Sequence, residues 1–214
     1  MNLFEDAANS ETREPLAEAA VLLRGFAAAA LPELMAALDG VTGAAPFRHM
    51  VTPGGFRMSV AMTNCGDCGW VSDRSGYRYD AMDPESGRPW PAMPPAFVKL
   101  AREAAGAAGF ENFAPDCCLV NRYRPGAKLS LHQDHDERDF TAPIVSVSLG
   151  LPAVFLWGGL KRSDRPRRIR LESGDVAVWG GVSRLTYHGI APLAEGEHRE
   201  TGRARINLTF RKAR

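Results

Sequence analysis

The spacing of apolar residues predicts two helices in the first half of the chain. Residues 28–42 carry a stripe at helical spacing made of Leu31, Leu34, Met35 and Leu38. Residues 94–109 begin with two prolines and end with a glycine, and their stripe consists of Phe97, Leu100, Ala101 and Ala104. Apolar positions that recur every three or four residues form one buried helix face, and proline and glycine are favoured at its two ends.

From residue 116 onward the pattern changes to short alternating segments typical of strands. Eight of them occupy residues 117–123, 128–133, 143–150, 153–157, 168–171, 175–179, 184–190 and 203–211. Because turn residues separate these segments, they predict a jelly-roll barrel or sandwich. The expected fold is mainly β, of the α+β kind, with the helices in its N-terminal part.

The segment between the two helices has a different character. Residues 46–93 are rich in glycine, proline and aromatic side chains, and only residues 56–63 alternate as a strand. A long irregular segment in a compact domain usually has a function, so we expect a lid or a recognition loop here.

Length and composition limit the number of domains and the class of protein. A chain of 214 residues suffices for one domain with a full core. We expect a single domain over 1–214, with helices and a recognition segment in 1–115 and a jelly-roll core in 116–214. The composition, 45% apolar and 24% charged, is that of an ordinary globular protein, and no apolar run reaches the roughly 18 to 20 residues that cross a bilayer.

The N-terminus and the cysteines favour a cytoplasmic protein. Residues 1–6 lack the basic region and apolar core of a secretory signal. Cys117 and Cys118 are adjacent in a predicted strand, so they should face opposite sides as buried free thiols. Cys65 and Cys68 form a single CxxC without a second pair, for which a structural role is favoured over a zinc or redox site.

A formal net charge of +1 conceals one basic segment. Within residues 161–170 only Asp164 opposes a group of cations, namely Lys161, Arg162, Arg165, Arg167, Arg168 and Arg170. Such a segment could contact a phosphate backbone. Taken alone, it is better interpreted as a solvated hairpin loop.

Three side chains form a candidate metal site. His132 and Asp134 are two apart in a predicted strand and therefore share a face, and His188 lies in another predicted strand. Two imidazoles and one carboxylate leave three adjacent positions open on an octahedral ion, which suits non-haem iron(II). The HxD spacing alone is weak, because such pairs also occur by chance, and the remaining histidines are expected in loops or on the other face.

The last predicted strand supplies a second set of polar side chains beside the candidate metal site. Period-two alternation places Arg205, Asn207, Thr209 and Arg211 on one face, and apolar residues on the other. If the apolar face packs against the helices, the two arginines point inward, where an unpaired guanidinium is costly. A dicarboxylate would resolve that cost through paired hydrogen bonds. Asn121 and Tyr123 could add contacts from a neighbouring strand, and an exposed edge strand is the alternative.

The chain resembles the AlkB family of DNA-repair dioxygenases over nearly its whole length. The matching segments are MVTPGG (50–55), MSVAMTNCG (58–66), RPWPAMP (88–94), NRYRPGAKLSLHQDHDE (121–137), APIVSVSLGLPAVF (142–155), GDVAVWGG (174–181), YHGI (187–190) and RINLTFR (205–211). The segments are long and occur in order, so the resemblance is specific.

The resemblance implies a double-stranded β-helix, a jelly-roll core of the cupin kind, that uses iron(II), 2-oxoglutarate and O2. Iron would be held by His132, Asp134 and His188. The co-substrate would be held by Asn121, Tyr123, Arg205, Asn207 and Arg211. The alkylated base would lie among Trp70, Tyr77, Arg78, Tyr79, Asp136 and Arg162.

The implied activity is oxidative removal of alkyl groups from N-alkylated bases such as 1-methyladenine and 3-methylcytosine. Trp70 and Tyr77 could stack on an extruded base, and Asp136 could favour a cationic lesion over the neutral base. The expected partner is alkylated DNA, preferably single-stranded, with RNA as an alternative; no membrane contact and a monomer are expected. His135 and the Leu156-Trp157 pair depart from the family pattern, which puts substrate preference in doubt.

Two other classes of function remain open. One is an oxygenase that acts on proteins or small molecules, and the other is a non-enzymatic cupin-like barrel that binds a metal or an acid. The two inward arginines count against the second, and the aromatic loop with the basic segment counts against the first.

Overall fold

A computed structural model describes residues 12–214 of the chain, so residues 1–6, on which the expectation about a secretory signal rests, lie outside it. Both predicted helices are confirmed. Helix α1 spans Leu31–Ala44 after a short 3₁₀ turn, and helix α2 spans Pro95–Ala107. Each has a proline in its first turn and buries its predicted apolar stripe, with Leu34 and Leu38 on α1 and Phe97 and Leu100 on α2.

The strands are arranged in three sheets. In chain order their bounds are β1 Arg13–Ala17, β2 Ala20–Leu23, β3 Ala61–Gly66, β4 Gly69–Asp73, β5 Gly76–Asp80, β6 Cys117–Tyr123, β7 Leu129–His132, β8 Ile144–Gly150, β9 Ala153–Trp157, β10 Arg167–Leu171, β11 Val176–Trp179, β12 His188–Ile190 and β13 Arg205–Arg211. The large sheet has the order β1-β2-β11-β8-β13-β6-β3, the small sheet has the order β10-β9-β12-β7, and β4 and β5 form a separate hairpin.

The large sheet lies between the helices and the small sheet. Its outer face packs on α1 and α2, where Val120, Leu208 and Phe210 join Leu34 and Phe97 in one apolar cluster. Side chains from its inner face form a second cluster with the small sheet. Two antiparallel sheets around a common interior confirm the mainly β fold with a jelly-roll-like core, and this interior contains the candidate site.

Several local predictions were wrong in their bounds. The strand expected over 56–63 forms at Ala61–Gly66, and the segment expected to be irregular contains the β4–β5 hairpin. The strand expected over 184–190 is confined to His188–Ile190, because a 3₁₀ turn precedes it. Strands β1 to β3 were not expected in the large sheet, where they pair at its two edges. Short, fully buried strands such as β2 lack the alternation that a half-exposed strand shows.

Among residues 12–214 no helix is long and apolar enough to cross a membrane.

Candidate metal and co-substrate site

Strand pairing brings the three predicted metal ligands together. His132 ends β7 and His188 begins β12, and the two are direct partners in the antiparallel register. Their ligand atoms and those of Asp134 all lie within 4.8 Å of one another. The strands approach closely because Gly189 has no side chain; a Cβ there would lie 2.6 Å from the Leu129 carbonyl oxygen. His132 and Asp134 thus share one site with His188, which lies more than 50 positions further along the chain.

Backbone carbonyls orient both imidazoles. His132 Nδ1 lies 2.9 Å from the Ser130 carbonyl oxygen, and His188 Nδ1 lies 2.9 Å from the Thr186 carbonyl oxygen. A carbonyl can only accept, so Nδ1 carries the proton and Nε2 presents its lone pair. The Nε2 atoms face the carboxylate of Asp134, at 3.6 Å from Oδ1 for His132 and 3.9 Å from Oδ2 for His188. This is the tautomer that a metal ligand requires.

Arg211 fixes the orientation of the Asp134 carboxylate. Its Nε and Nη2 donate to Asp134 Oδ2 at 3.0 and 2.7 Å, the oxygen that also faces His188, whereas Oδ1 faces His132. Burial alone would raise the pKa of Asp134, but the charge of Arg211 and the two neighbouring imidazoles outweigh it and keep that pKa well below its ordinary value. The carboxylate is therefore ionised and oriented before any metal binds.

The pKa of His188 is lowered to about 4, first by burial and then by His132, with Asp134 opposing the shift. The ring is 6% exposed and packs edge-on against Trp179, with 4.9 Å between the ring centroids. A neutral imidazole at neutral pH is available for coordination.

The polar face of β13 forms the second half of the site. Arg205, Asn207, Thr209 and Arg211 all line the same cavity as the three candidate ligands, and β6 lies alongside with Asn121 opposite Asn207 and Tyr123 opposite Arg205. Asn207 connects the strands: its Nδ2 donates to Ser146 Oγ and to the Val147 carbonyl, and its Oδ1 accepts from Thr209 and Asn121. The face is buried, as predicted from the alternation of the strand.

Several buried polar atoms on this face have no hydrogen-bond partner within residues 12–214. They are Nε and Nη1 of Arg205, Nη1 of Arg211 and Oδ1 of Asn121. Arg205 is 1% exposed; its Nη2 donates to Ser148 Oγ at 2.9 Å, and its guanidinium carbon lies 5.0 Å from the Tyr123 ring centroid. Buried guanidinium donors without acceptors are costly.

The donor sets fit the groups that the sequence predicts. Two imidazoles and one carboxylate are a ligand set for non-haem iron(II) that leaves coordination positions open. Guanidinium donors at the two ends of β13 fit a small dicarboxylate, because carboxylate oxygens would supply acceptors that the described residues do not. The volume of the cavity, about 500 Å³, lies in the range that is usual for small-molecule and cofactor sites.

The β4–β5 hairpin supplies aromatic side chains to the mouth of the cavity. Trp70 and Tyr77 stack with ring centroids 5.5 Å apart and planes 14° from parallel. Trp70 Nε1 donates to Asp136 Oδ2 at 2.8 Å, and Tyr79 donates to Glu137 Oε1 at 2.5 Å. Each of these residues lines the cavity, so the hairpin is tied to the segment that follows the metal-ligand strand.

Two further predicted base contacts have different placements. Arg162 lines the cavity, with its guanidinium carbon 6.0 Å from the Tyr187 ring centroid. Arg78 does not: because β5 alternates, it lies on the opposite face from Tyr77 and pairs with Asp73 at 2.9 Å and with Asp80 at 3.6 Å. Arg78 therefore does not line this cavity, and its contact with the base stays a prediction.

The departures from the family pattern are also located. His135 lines the cavity mouth, and its Nδ1 is 2.9 Å from Asp136 Oδ1. Leu156 and Trp157 lie in β9 beside His188 in the register, but neither side chain lines the cavity, and Trp157 packs on Trp179 in the core. Of the three, His135 is the one placed to affect substrates.

Three side chains of the site were missed by sequence reasoning. Trp179 lines the cavity, and its Nε1 has no hydrogen-bond partner in the described part of the chain. Glu137 and Arg184 are buried and paired at 3.1 Å, and Arg184 Nη1 also donates to the Asp134 carbonyl at 2.8 Å. A charged residue at the end of HQDHDE was the available signal for Glu137, whereas nothing in the sequence around Arg184 indicates burial.

Comparisons with known proteins identify the family of the chain. Residues 19–211 match the model of the 2OG-Fe(II) oxygenase superfamily. The chain is 59% identical over 213 residues to the alpha-ketoglutarate-dependent dioxygenase AlkB of Escherichia coli K12, covering 100% of this chain and 98% of that protein. It is 49% identical over 171 residues to an AlkB homolog of Caulobacter vibrioides, covering 79% and 76%.

A solved structure, described as that of OsALKBH1, superimposes with a TM-score of 0.81 at 29% identity, and covers 94% of this chain and 100% of that one.

Proposed function

The chain belongs to the AlkB dioxygenases of the 2OG-Fe(II) oxygenase superfamily, and we propose that it removes N-linked alkyl groups from nucleic-acid bases by oxidation. The observation that carries this proposal is one cavity with a His-Asp-His cluster and stacked aromatic rings at its mouth. Beside the cluster lie buried arginine donors that have no partner among residues 12–214. The chain is accordingly an iron(II)- and 2-oxoglutarate-dependent oxidoreductase.

We assign iron(II) to His132, Asp134 and His188, and 2-oxoglutarate to Asn121, Tyr123, Arg205, Asn207 and Arg211. With O2, these groups supply the oxidising chemistry: 2-oxoglutarate is converted to succinate and CO2, and the oxidised alkyl carbon leaves as an aldehyde, which is formaldehyde for a methyl group. The protein contributes orientation. Ser130 and Thr186 set the imidazole tautomers, and Arg211 holds Asp134 in place while it offers Nη1 to the co-substrate.

The mouth of the cavity supports a base as the substrate. Chemistry on a base requires its extrusion from the stack, and the Trp70–Tyr77 pair offers a flat surface that contributes about 1–3 kcal/mol per stacked base. Asp136 is a carboxylate at the same opening, and it would attract the cationic ring of 1-methyladenine or 3-methylcytosine more than the neutral base.

Exposed cations in the basic segment indicate the side from which nucleic acid approaches the cavity. The basic segment 161–170 covers part of the loop after β9 and most of β10. Lys161, Arg162 and Arg165 are exposed in that loop, and Arg162 also lines the cavity. Cations there would neutralise phosphates on either side of an extruded base. We propose that the substrate is alkylated DNA, preferably single-stranded, because extrusion costs least there, with RNA as a second substrate, and that the enzyme works as a cytoplasmic monomer.

The test is a coupled assay with a methylated single-stranded oligonucleotide, iron(II), ascorbate and 2-oxoglutarate. We expect succinate and the repaired base in equal amounts, and loss of both in His132→Ala and Asp134→Ala. Arg203→Ala is a matched control, because its exposed ion pair with Glu195 lies outside the cavity. Succinate formation without base repair across methylated DNA and RNA would leave an oxygenase with a different substrate, and retained turnover in either variant would refute the ligand assignment.

A further inference from the structure

Arg184 is a buried cation between β11 and β12 that does not line the cavity. It follows the short 3₁₀ turn Gly181–Ser183 and is 3% exposed. Because its side chain lies outside the cavity lining, it cannot contact iron, the co-substrate or a base directly. A buried guanidinium is costly unless its donors are used, so the partners of Arg184 indicate its role.

The residues between β7 and β8 form an irregular segment, 133–143, that carries Asp134 and Asp136. Because the 133–143 segment belongs to no strand, no ladder of hydrogen bonds fixes its backbone. Near its middle, the Arg138 N–H donates to the Ala213 carbonyl oxygen at 3.2 Å. Buried carbonyl groups on either side of that bond need other donors. The positions of the metal ligand and of the predicted base contact therefore depend on side chains that hold this segment.

Each guanidinium nitrogen of Arg184 donates to the 133–143 segment. Nη1 donates to the Asp134 carbonyl oxygen at 2.8 Å, Nε donates to the Ala142 carbonyl oxygen at 3.1 Å, and Nη2 donates to Glu137 Oε2 at 3.1 Å. The guanidinium carbon also lies 5.4 Å from the ring centroid of Phe140. A single planar side chain therefore connects both ends of the segment and its middle, with its donor directions fixed by the fork of the guanidinium.

Glu137 extends this contact to the metal ligand and to the β4–β5 hairpin. Its Oε1 accepts from the Tyr79 hydroxyl at 2.5 Å and lies 3.3 Å from Arg211 Nε. Arg211 in turn donates to the carboxylate of Asp134. Two carboxylates and two guanidinium groups therefore alternate in a buried row, with Arg184 at one end and Asp134 at the other. The backbone of Asp134 is held by the first arginine and its side chain by the second.

We propose that Arg184 is a positioning residue that holds both the metal-binding carboxylate of Asp134 and the base-binding carboxylate of Asp136 in place. Asp136 lies in the chain between the Asp134 and Glu137 anchors, so the same side chain limits the movement of both carboxylates. Such support matters because a site that is loose by about 1 Å loses much of its function. The part that concerns Asp136 rests on the proposed function, and the part that concerns Asp134 rests on the metal site alone.

The test variant is Arg184→Lys, which keeps a cation beside Glu137. A lysine ammonium is a compact charge on a flexible stem, so it cannot donate to all three partners in their fixed directions. Arg24→Met is the matched control for a general loss of stability. Arg24 likewise donates to two carboxylates and one backbone carbonyl, but it does not line the cavity and does not contact the 133–143 segment.

The first measurement is limited cleavage of the metal-free full chain by trypsin. Arg138 is exposed within the 133–143 segment, and Arg162 is exposed in the loop after β9 and serves as the internal reference. Each cleavage rate is divided by the rate in the urea-unfolded chain. We expect cleavage after Arg138 to be at least about tenfold slower than after Arg162 in the wild type. Arg184→Lys should raise the Arg138 to Arg162 ratio about tenfold, the change expected for the loss of a hydrogen bond to a buried carbonyl.

The second measurement compares iron binding and substrate preference at a temperature at which equal fractions of the two variants are folded. Iron(II) affinity, measured anaerobically by competition with a chelator, should fall about 10- to 100-fold in Arg184→Lys. The ratio of kcat/KM on cationic 1-methyladenine to kcat/KM on a neutral etheno adduct should fall roughly 3- to 10-fold, because a displaced carboxylate attracts the cationic ring less. Arg24→Met should leave the iron affinity and this ratio at their wild-type values.

Several results would overturn the proposal. Wild-type cleavage and iron affinity in Arg184→Lys would mean that the charge alone suffices, and equal changes in Arg24→Met would mean a general loss of stability. Loss of iron affinity with an unchanged lesion ratio would remove the part that concerns Asp136. Equal normalised cleavage after Arg138 and Arg162 in the wild type would refute a held segment even if Arg184→Lys does not fold. Absence of base repair by the wild type would count against the proposed function alone, because cleavage and iron binding need no substrate.

Discussion

Arg205→Met should have opposite effects on co-substrate binding and on the stability of the co-substrate-free protein. Arg205 is 1% exposed, two of its guanidinium nitrogens have no partner within residues 12–214, and burial lowers its pKa. Methionine keeps much of the apolar stem and removes the buried charge. Replacing an uncompensated buried ion with an apolar side chain is neutral or stabilising in other proteins, and here it removes only the hydrogen bond to Ser148 and the contact with Tyr123.

The magnitude of the binding loss follows from the unpartnered donors. Each hydrogen bond from a charged donor to a carboxylate contributes about 1.5–3 kcal/mol, so losing two should weaken 2-oxoglutarate binding by roughly 3–6 kcal/mol, which is at least about 100-fold. Wild-type protein at a 2-oxoglutarate concentration of about 100 times Kd should gain about 2.7 kcal/mol of stability, and Arg205→Met should gain almost none at that concentration.

The assay is urea unfolding with and without 2-oxoglutarate, under anaerobic conditions with iron(II) present, together with the KM for 2-oxoglutarate. Arg203→Met is the matched control, because Arg203 is exposed and pairs with Glu195 at the surface; it should leave both quantities unchanged. Wild-type affinity in Arg205→Met would refute the assignment of the co-substrate, and a large loss of stability without ligand would refute the reasoning about the unpaired charge.

Three further predictions concern neighbouring side chains. Arg211→Met should destabilise the metal-free protein by about 3–5 kcal/mol in urea unfolding, because it leaves the buried Asp134 and Glu137 carboxylates without their shared partner; a stability equal to that of Arg205→Met would contradict this. The pKa of His188 falls from 6.5 to about 4 on folding, so protonation favours the unfolded state. In the metal-free protein, the stability that this residue contributes should be fully present above pH 6.5 and be lost as the pH falls toward 4. Between pH 7 and pH 5 this residue should account for about 2 kcal/mol, and His188→Gln should show a correspondingly shallower pH dependence; an unchanged slope would be inconsistent with a neutral, buried imidazole. Asp136→Asn keeps an acceptor for Trp70 and removes the charge, so it should lower kcat/KM about tenfold or more on cationic 1-methyladenine while affecting neutral etheno adducts less; equal losses on both would exclude an electrostatic role.

The elements that the sequence predicted well are those with a strong local signal. Helices α1 and α2 have apolar stripes and proline in the first turn, and β13 alternates strictly between polar and apolar residues. The HxD pair and the two arginines of β13 could be identified as chemistry-bearing residues because each pair shares one face of a strand. The β4–β5 hairpin was missed because Gly69–Asp73 and Gly76–Asp80 are short, and each contains polar residues at positions that the fold half-buries.

The sequence by itself determined the residue types of the site and the face of the strand from which each one projects. It could not determine which strands would pair, because strand pairing is a contact between segments far apart in the chain. Register therefore decided that His188 meets His132, that Asn121 lies opposite Asn207, and that Arg78 turns away from the cavity.

The tertiary structure alone also decided which buried charges found partners. Arg211 reaches Asp134 and Glu137, whereas two nitrogens of Arg205 have no acceptor among the residues that the structure describes, although both arginines occupy the same face of one strand. The physical reason is that the cost of a buried charge depends on neighbours brought in by other strands, and local sequence carries no record of them.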